Sequence, residues 1–351
     1  MQQKKVLLIV LIVIILLASF AAGIIFGPAL FDARRSEDEN DPGDHNGSVD
    51  PQKPGQGSND PDPEGEAPDP ELEDLVRAAA EKHRADPVDA VYNSAYNIVI
   101  PELNGYRIDQ QATLARLMAA APGEAVAPVW QDLLPAVTAA DHPAAVIERG
   151  NPARQRVAFM INVAWGNEYL PEMLDILEQH DAQGTFFIVG RWAERFPDLL
   201  QEIHRRGHEL ANHGYDDGEV MPDLDYNATI SSLRRTNEII EKFTGQQPRY
   251  FTPHKGEYSS TTCRAAAALG MRLLVWTLDT VDWKRPGEEA MAQRILDNLS
   301  PGAIILMHPT EQSAGFLRLV IPQIKSRGYR VVAVKELLSP DPSFPKLTLQ
   351  R

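Results

Sequence analysis

The chain has 351 residues, 43 % of them hydrophobic, and a formal net charge of −15. That length and apolar content allow one large domain or two modest ones with a real core, and exclude a wholly disordered protein. The acid excess is local: between Ser36 and Asp74 fourteen acids face the single Lys53, so the remainder is close to neutral, which argues against nucleic acid as a partner.

From Val6 to Phe31 no residue is charged. About 20 apolar residues suffice to cross a hydrocarbon core of roughly 30 Å, so residues 1–35 are predicted to hold a membrane anchor. Lys4 and Lys5 before the run place the amino terminus inside and the bulk of the chain outside the cytoplasm, single-pass at the cell membrane, with Arg34 and Arg35 pulling weakly the other way. A cleaved secretory signal is the rival reading, since "ASFAAG" offers small residues near the end of the run, and would make the protein secreted. Residues 36–72, rich in Pro, Gly, Asn and Asp, read as a disordered, solvated tether.

Residues 73–150 are expected to form a small αβ subdomain and connector. "LEDLVRAAAEKHRA" has helical spacing. "YNIVIPELNGYRIDQQATLARLMAAA" reads as a strand, a tight turn at Asn104-Gly105, a short strand and a helix opened by Asp109. The stretch from Pro122 to Pro152 reads mostly as connector. The strand-Gly-Asp-helix pattern resembles small modules associated with peptidoglycan; a packing subdomain without a ligand is the other reading.

From Arg156 onward short β-rich runs alternate with amphipathic segments: "RVAFMINV", "GTFFIV", "HELAN", "RYFT", "RLLVWTLD" and "AIILMH" are each followed by a helical stretch, and "YRVVAV" closes the series. Strands alternating with helices imply a parallel sheet with right-handed crossovers, and the best fit is a (β/α) barrel of about seven strands over residues 151–340, with 341–351 as a tail; a doubly wound open sheet is the alternative. Ligands bind such sheets at the carboxyl ends of the strands. Asn162 and Val163 fall there, as do His213, Asp217, Thr252, His254, Lys255, Asp279, Asp282 and His308. Cys263, the sole cysteine, reads as a small buried hydrophobe, and His208 as a structural histidine.

"GTFFIVGRWAERFPDLLQEIHRRGHELANH", "RYFTPHKGEYSS", "WTLDTVDWKRPG" and "GAIILMHP", following "FMINVAWGNEYLPEMLDIL", resemble the polysaccharide deacetylase family, the nodulation-type domain of carbohydrate esterase family four, over about Arg156 to Leu338. "INVAWGNEYLP" with "LMHPTEQSAG" is similar to the sporulation-associated, membrane-anchored deacetylase-like proteins of endospore formers. The resemblance implies a divalent metal, usually zinc, held by one Asp and two His, that polarises an acetamide carbonyl and activates water. It also implies an Asp base beside the metal-binding Asp, an Arg that orients the base, and a His that protonates the leaving amine.

Carried across residue by residue, the pattern puts Asn162 at the base and Val163 at the metal-binding Asp. His213 keeps the first ligand position, Asp217 stands at the second, Thr252 stands at the orienting Arg before the retained Pro253, and Asp279, Trp283 and the acid His308 remain. The first reading is therefore a degenerate catalytic site that binds a cell-envelope N-acetyl amino-sugar polymer, such as peptidoglycan, with little or no deacetylase activity. In a second, His213, Asp217 and His254 rebuild a site for zinc or another divalent metal, with Asp216 or Asp279 as base. A third treats the protein as a tethered envelope scaffold without a glycan ligand. Trp165, Thr252, Pro253 and Trp283 are the expected groove residues, Trp165 stacking on a sugar or plugging the barrel end. Asp279 has a plainer alternative role, accepting backbone hydrogen bonds to hold a loop.

Overall fold

The computed structural model describes residues 69–351. The predicted membrane segment in 1–35 and nearly all of the 36–72 tether lie outside the described residues, and among the described residues no helix is long and apolar enough to cross a membrane.

Helix α1 (Pro70–Lys82) begins where Asp69 accepts from the Glu71 amide at 2.9 Å and Pro70 fills a first-turn position that needs no N–H. Its buried face, including Leu72 and Val76, joins Leu117 of α2 (Gln110–Ala119) in one cluster. Asp109 caps α2, accepting from Ala112 N at 2.9 Å.

The five short strands nearby are β1 (Val91–Asn93), β2 (Ile98–Ile100), β3 (Gly105–Ile108), β4 (Ala125–Val126) and β5 (Trp130–Leu133). The expected hairpin at Asn104-Gly105 does not form: β2 pairs with β1, and β3 pairs with β5, both antiparallel. Gly105 is demanded by a close approach instead, because a Cβ there would lie 2.3 Å from the Ala85 carbonyl oxygen.

The larger part alternates β6 (Arg156–Val163), α3 (Leu170–Gln179), β7 (Gly184–Ile188), α4 (Gly190–Arg195), α5 (Pro197–Arg205), β8 (Glu209–Asn212), α6 (Tyr226–Thr244) and β9 (Tyr250–Phe251). It continues through α7 (Ser260–Ala268), β10 (Arg272–Leu273), β11 (Leu278–Asp279), α8 (Glu288–Asn298), β12 (Ile304–Met307), α9 (Ser313–Ser326), β13 (Arg330–Val331) and α10 (Val334–Leu337). The strands run parallel in the order β10-β9-β8-β7-β6-β12-β11, with β13 beside the start of β6. This is a curled half-barrel rather than a closed ring.

All eight residues of β6 are buried, because both faces of the strand are covered. Phe159, Ile161 and Val163 pack outward beneath the helices, whereas Ala158 and Met160 join the inner cluster. "RLLVWTLD" is two strands on opposite edges of the sheet, and the gap between them is stitched by residues 147–148: Ile147 N donates to Leu273 O at 3.0 Å, Val275 N donates to Ile147 O at 3.0 Å, and Thr277 Oγ1 donates to Glu148 O at 2.6 Å. The stretch read as connector thus supplies the piece that covers the open side. Ala90, Val99, Ala145 and Ile147 share the inner cluster with Met160 and Leu306. The tail returns to the short strands that precede β6, where β14 (Leu349–Gln350) pairs with β4 and Phe344 stacks on Trp130 at 5.5 Å between ring centroids.

Candidate functional site

A cavity of 560 Å³ opens at the carboxyl ends of the strands, lined among others by Asn162, Trp165, His213, His254, Asp279 and His308. Most of the residues singled out from the sequence meet here.

Asn162, the last residue but one of β6, faces the cavity; it is 4 % exposed, and its Oδ1 is buried without a hydrogen-bond partner among the described residues. Its neighbour Val163 does not line the cavity. Strand alternation turns it the other way, into the outer cluster, where it is fully buried with residues such as Leu170 and Met173.

After β8, Asn212 fixes the chain by donating to Leu233 O at 2.8 Å and accepting from Gly214 N at 2.7 Å. His213 follows, with Nδ1 2.7 Å from the Thr252 carbonyl oxygen. A carbonyl only accepts, so Nδ1 carries the hydrogen and Nε2 is the free acceptor. Burial, reinforced by the adjacent His254, holds the pKa of His213 well below the usual imidazole range.

His254 is buried, with its ring centroid 4.2 Å from that of His213 and Nδ1 3.4 Å from Asp217 Oδ1. Its Nε2 has no partner among the described residues. Burial lowers its pKa, opposed by Asp217 and then Glu219. The next residue, Lys255, lies on the cavity wall with φ 57°, an uncommon conformation for a non-glycine residue.

Thr252 and Pro253 stand behind the cavity rather than on it: Thr252 is fully buried and holds His213, while Pro253 leads into the short turn 254–256. Asp216 pairs with Arg191 and accepts from Gly218 N at 3.1 Å, away from the cavity lining. Asp217 reaches the wall, although its side chain is 59 % exposed.

On the opposite wall, Asp279 accepts from Val281 N at 2.7 Å, and burial raises its pKa. Val281 sits at φ 57° and ψ 30°, strained for a β-branched residue, and the turn it makes delivers Asp282. Fully buried Asp282 accepts from His308 N at 2.5 Å and from His308 Nδ1 at 2.8 Å. A carboxylate only accepts, so His308 carries its ring hydrogen on Nδ1. Sequence reading put weight on Asp279 here; the direct partner of His308 is Asp282, whose signal was its place immediately before the retained Trp283.

Trp165 stacks on His308 with 5.9 Å between centroids and 9° between planes, and is 43 % exposed. Trp283 is 58 % exposed, and Trp276 completes the wall. The cavity therefore offers aromatic faces, imidazole edges and one amide, with Asp279, Asp217 and Lys255 as its charged groups.

The donors do not fit a catalytic zinc as they stand. Among the described residues no group of three His, Cys, Asp or Glu is placed to hold a metal ion. His254 presents Nδ1 toward Asp217, His213 has only Nε2 free, and Val163 supplies no donor.

The polysaccharide deacetylase family model matches residues 149–274. The chain is 35 % identical to the uncharacterized protein YlxY of Bacillus subtilis over 77 % of its own length and 84 % of that protein. A peptidoglycan-N-acetylglucosamine deacetylase of Bacillus cereus is 31 % identical over 48 % of the chain and 63 % of the relative, so the chain spans less than two thirds of that enzyme. A carbohydrate esterase family 4 pseudoenzyme from Bacillus anthracis superposes with a TM-score of 0.67 at 32 % identity, over 78 % of this chain and 96 % of that one. A mutant of that pseudoenzyme, described as having restored enzymatic activity, superposes equally well. With this half-barrel and this order of motifs, the chain belongs to the polysaccharide deacetylase family, carbohydrate esterase family 4.

Proposed function

We propose that this protein binds an N-acetyl amino-sugar polymer of the cell envelope, such as peptidoglycan, in the cavity at the carboxyl ends of the strands, and has little or no deacetylase activity. The observation that carries this reading is the end of β6, where the amide Asn162 faces the cavity and Val163 packs away from it; on the family resemblance these stand for the base and the metal-binding carboxylate. An amide accepts no proton at neutral pH, and loss of a general base alone costs about 10²- to 10⁴-fold in rate. Val163 is packed into the outer core, so the missing ligand has been replaced by hydrophobic contact. Trp165 and Trp283 flank the cavity, half exposed, as sugar-stacking platforms. The resemblance to a pseudoenzyme supports the same reading. On this view the apolar run from Val6 to Phe31 anchors the protein at the cell membrane, facing the wall.

One observation favours a rebuilt metal site at His213, Asp217 and His254: the His254 Nε2 has no partner among the described residues, on a ring whose centroid is 4.2 Å from that of His213. A single experiment separates the two. The full chain is loaded with zinc or cobalt, desalted and assayed for metal, then titrated with chitotetraose while acetate release is followed. Saccharide binding with no acetate, and metal far below one equivalent, is the expected result. One equivalent of metal that His213→Ala abolishes, together with acetate release, would overturn it.

A further inference from the structure

A second cavity, larger than the one described above, lies elsewhere among the described residues. It encloses 850 Å³ at the other end of the half-barrel, where Glu209 begins β8 and Tyr250 begins β9. Its rim comes from the turn after α6 (Gln246 to Arg249), the Leu269-Gly270 turn after α7, and residues 335 and 338–341. That volume lies within the range of pockets that enclose a small organic ligand, ~300–1,000 Å³.

Its floor is a buried carboxylate. Glu209 is 8 % exposed, and its Oε2 accepts both hydrogen bonds it receives within the described residues, from Thr185 Oγ1 at 2.8 Å and from Lys335 N at 2.9 Å. Thr185 Oγ1 in turn accepts from Val334 N at 2.8 Å, so this half of the carboxylate pins the start of α10 to the sheet. Oε1 is left over, on a residue that lines the cavity. Glu209 Oε1 has no hydrogen-bond partner among the described residues and is open to accept a donor from a ligand. Beside it, burial and the Glu209 charge push the Tyr250 phenol upward, so it remains a donor.

The lining carries two cations, Arg249 and Lys335, and two carboxylates, Glu209 and Asp341, together with the side-chain amides of Gln246 and Gln247. This balance disfavours a phosphate or other strong anion, which would face the Glu209 oxygen. It also disfavours an apolar ligand, which would leave the carboxylate unsatisfied. Hydroxyl groups match it, because each donates to a carboxylate and accepts from a guanidinium or amide. We propose that this cavity is a second saccharide site, built around Glu209, Arg249 and Tyr250, at the opposite end of the half-barrel from His308.

The test uses the full chain with chitotetraose, and cellotetraose as a polyhydroxyl probe without acetamide groups, read by hydrogen exchange. The expected result is slowed exchange at residues 246–250 and 335–341 with either sugar, weakened about tenfold in apparent affinity by Arg249→Ala and by Glu209→Gln. Arg249→Ala, at a rim position, keeps the test open if Glu209→Gln loosens α10. Exchange unchanged at 246–250 and 335–341 overturns the second site, even where 279–283 is protected. Protection of 246–250 and 335–341 with 279–283 unprotected sustains it while removing the site at His308.

Discussion

Asp282, fully buried, receives both the backbone N–H and the ring Nδ1–H of His308, at 2.5 and 2.8 Å. One carboxylate thus fixes both the main chain at the end of β12 and the orientation of the imidazole that faces the cavity. Leaving a buried hydrogen-bonding group unsatisfied typically costs ~1–3 kcal/mol. Asp282→Ala is expected to lower unfolding free energy by about that amount in urea titrations. A loss under 1 kcal/mol would mean that His308 is held by something else.

Val163 sets a sharper test. Its packing in the outer cluster means that restoring an acid there buries a carboxylate among Leu170, Met173 and their neighbours. Val163→Asp is expected to cost about 3 kcal/mol or more, and added zinc should not recover it. A variant whose melting temperature climbs with zinc would show that the side chain can turn into the cavity, because a ligand that binds only the folded state stabilises it.

Much of this was legible in advance, for physical reasons that differ by residue. The outline of the sheet follows from β-rich runs separated by amphipathic helices, and the cap of α2 follows from Asp109 standing before an apolar-periodic stretch. The convergence of Asn162, His213, His254 and His308 follows from their places at strand ends. What escaped was non-local. Residues 145–147 form too short an apolar run to show a period, and only the open edge between β10 and β11 gives them a role. Gly105 looked like a turn residue because sequence cannot show that the Ala85 backbone passes beside it. Asp282 and Asp279 are three residues apart, and only the strained turn at Val281 decides which of them reaches His308.

Gly166 ties the first loop to the last. It has φ +75°, and a Cβ on it would lie 1.9 Å from the Pro309 carbonyl oxygen, next to His308. Gly166→Ala therefore meets both backbone strain and a collision with main chain, which cannot move as a side chain would. The expected cost is ~2–4 kcal/mol by chemical denaturation. A neutral effect would show that the two loops separate easily.

Trp283 separates binding from stability, since it is 58 % exposed, with the Lys284 Nζ 4.6 Å from its ring centroid. Trp283→Ala is expected to change unfolding free energy by under ~1 kcal/mol, as surface substitutions do. Affinity for chitotetraose should fall about tenfold, or ~1.4 kcal/mol, measured calorimetrically. Unchanged affinity would remove this tryptophan from the glycan contact.

His208 gives the protein a pH dependence distant from the cavity. It is 4 % exposed, its ring lies 5.3 Å from that of Phe186, and its Nδ1 accepts from Gly184 N at 3.3 Å, a bond only the neutral ring can make. Burial pushes its pKa down to about 4, against ~6.5 in the unfolded chain. Between those values the unfolded state holds the extra proton, so this contribution is fully present above pH ~6.5 and is lost progressively as pH falls toward about 4. The separation corresponds to a loss of ~3 kcal/mol. His208→Asn keeps an acceptor for Gly184 N and removes the titration. Urea unfolding of the variant should therefore show a flatter decline in stability between pH 6.5 and 4 than the parent, and parallel declines would mean that His208 is not the group that sets the slope.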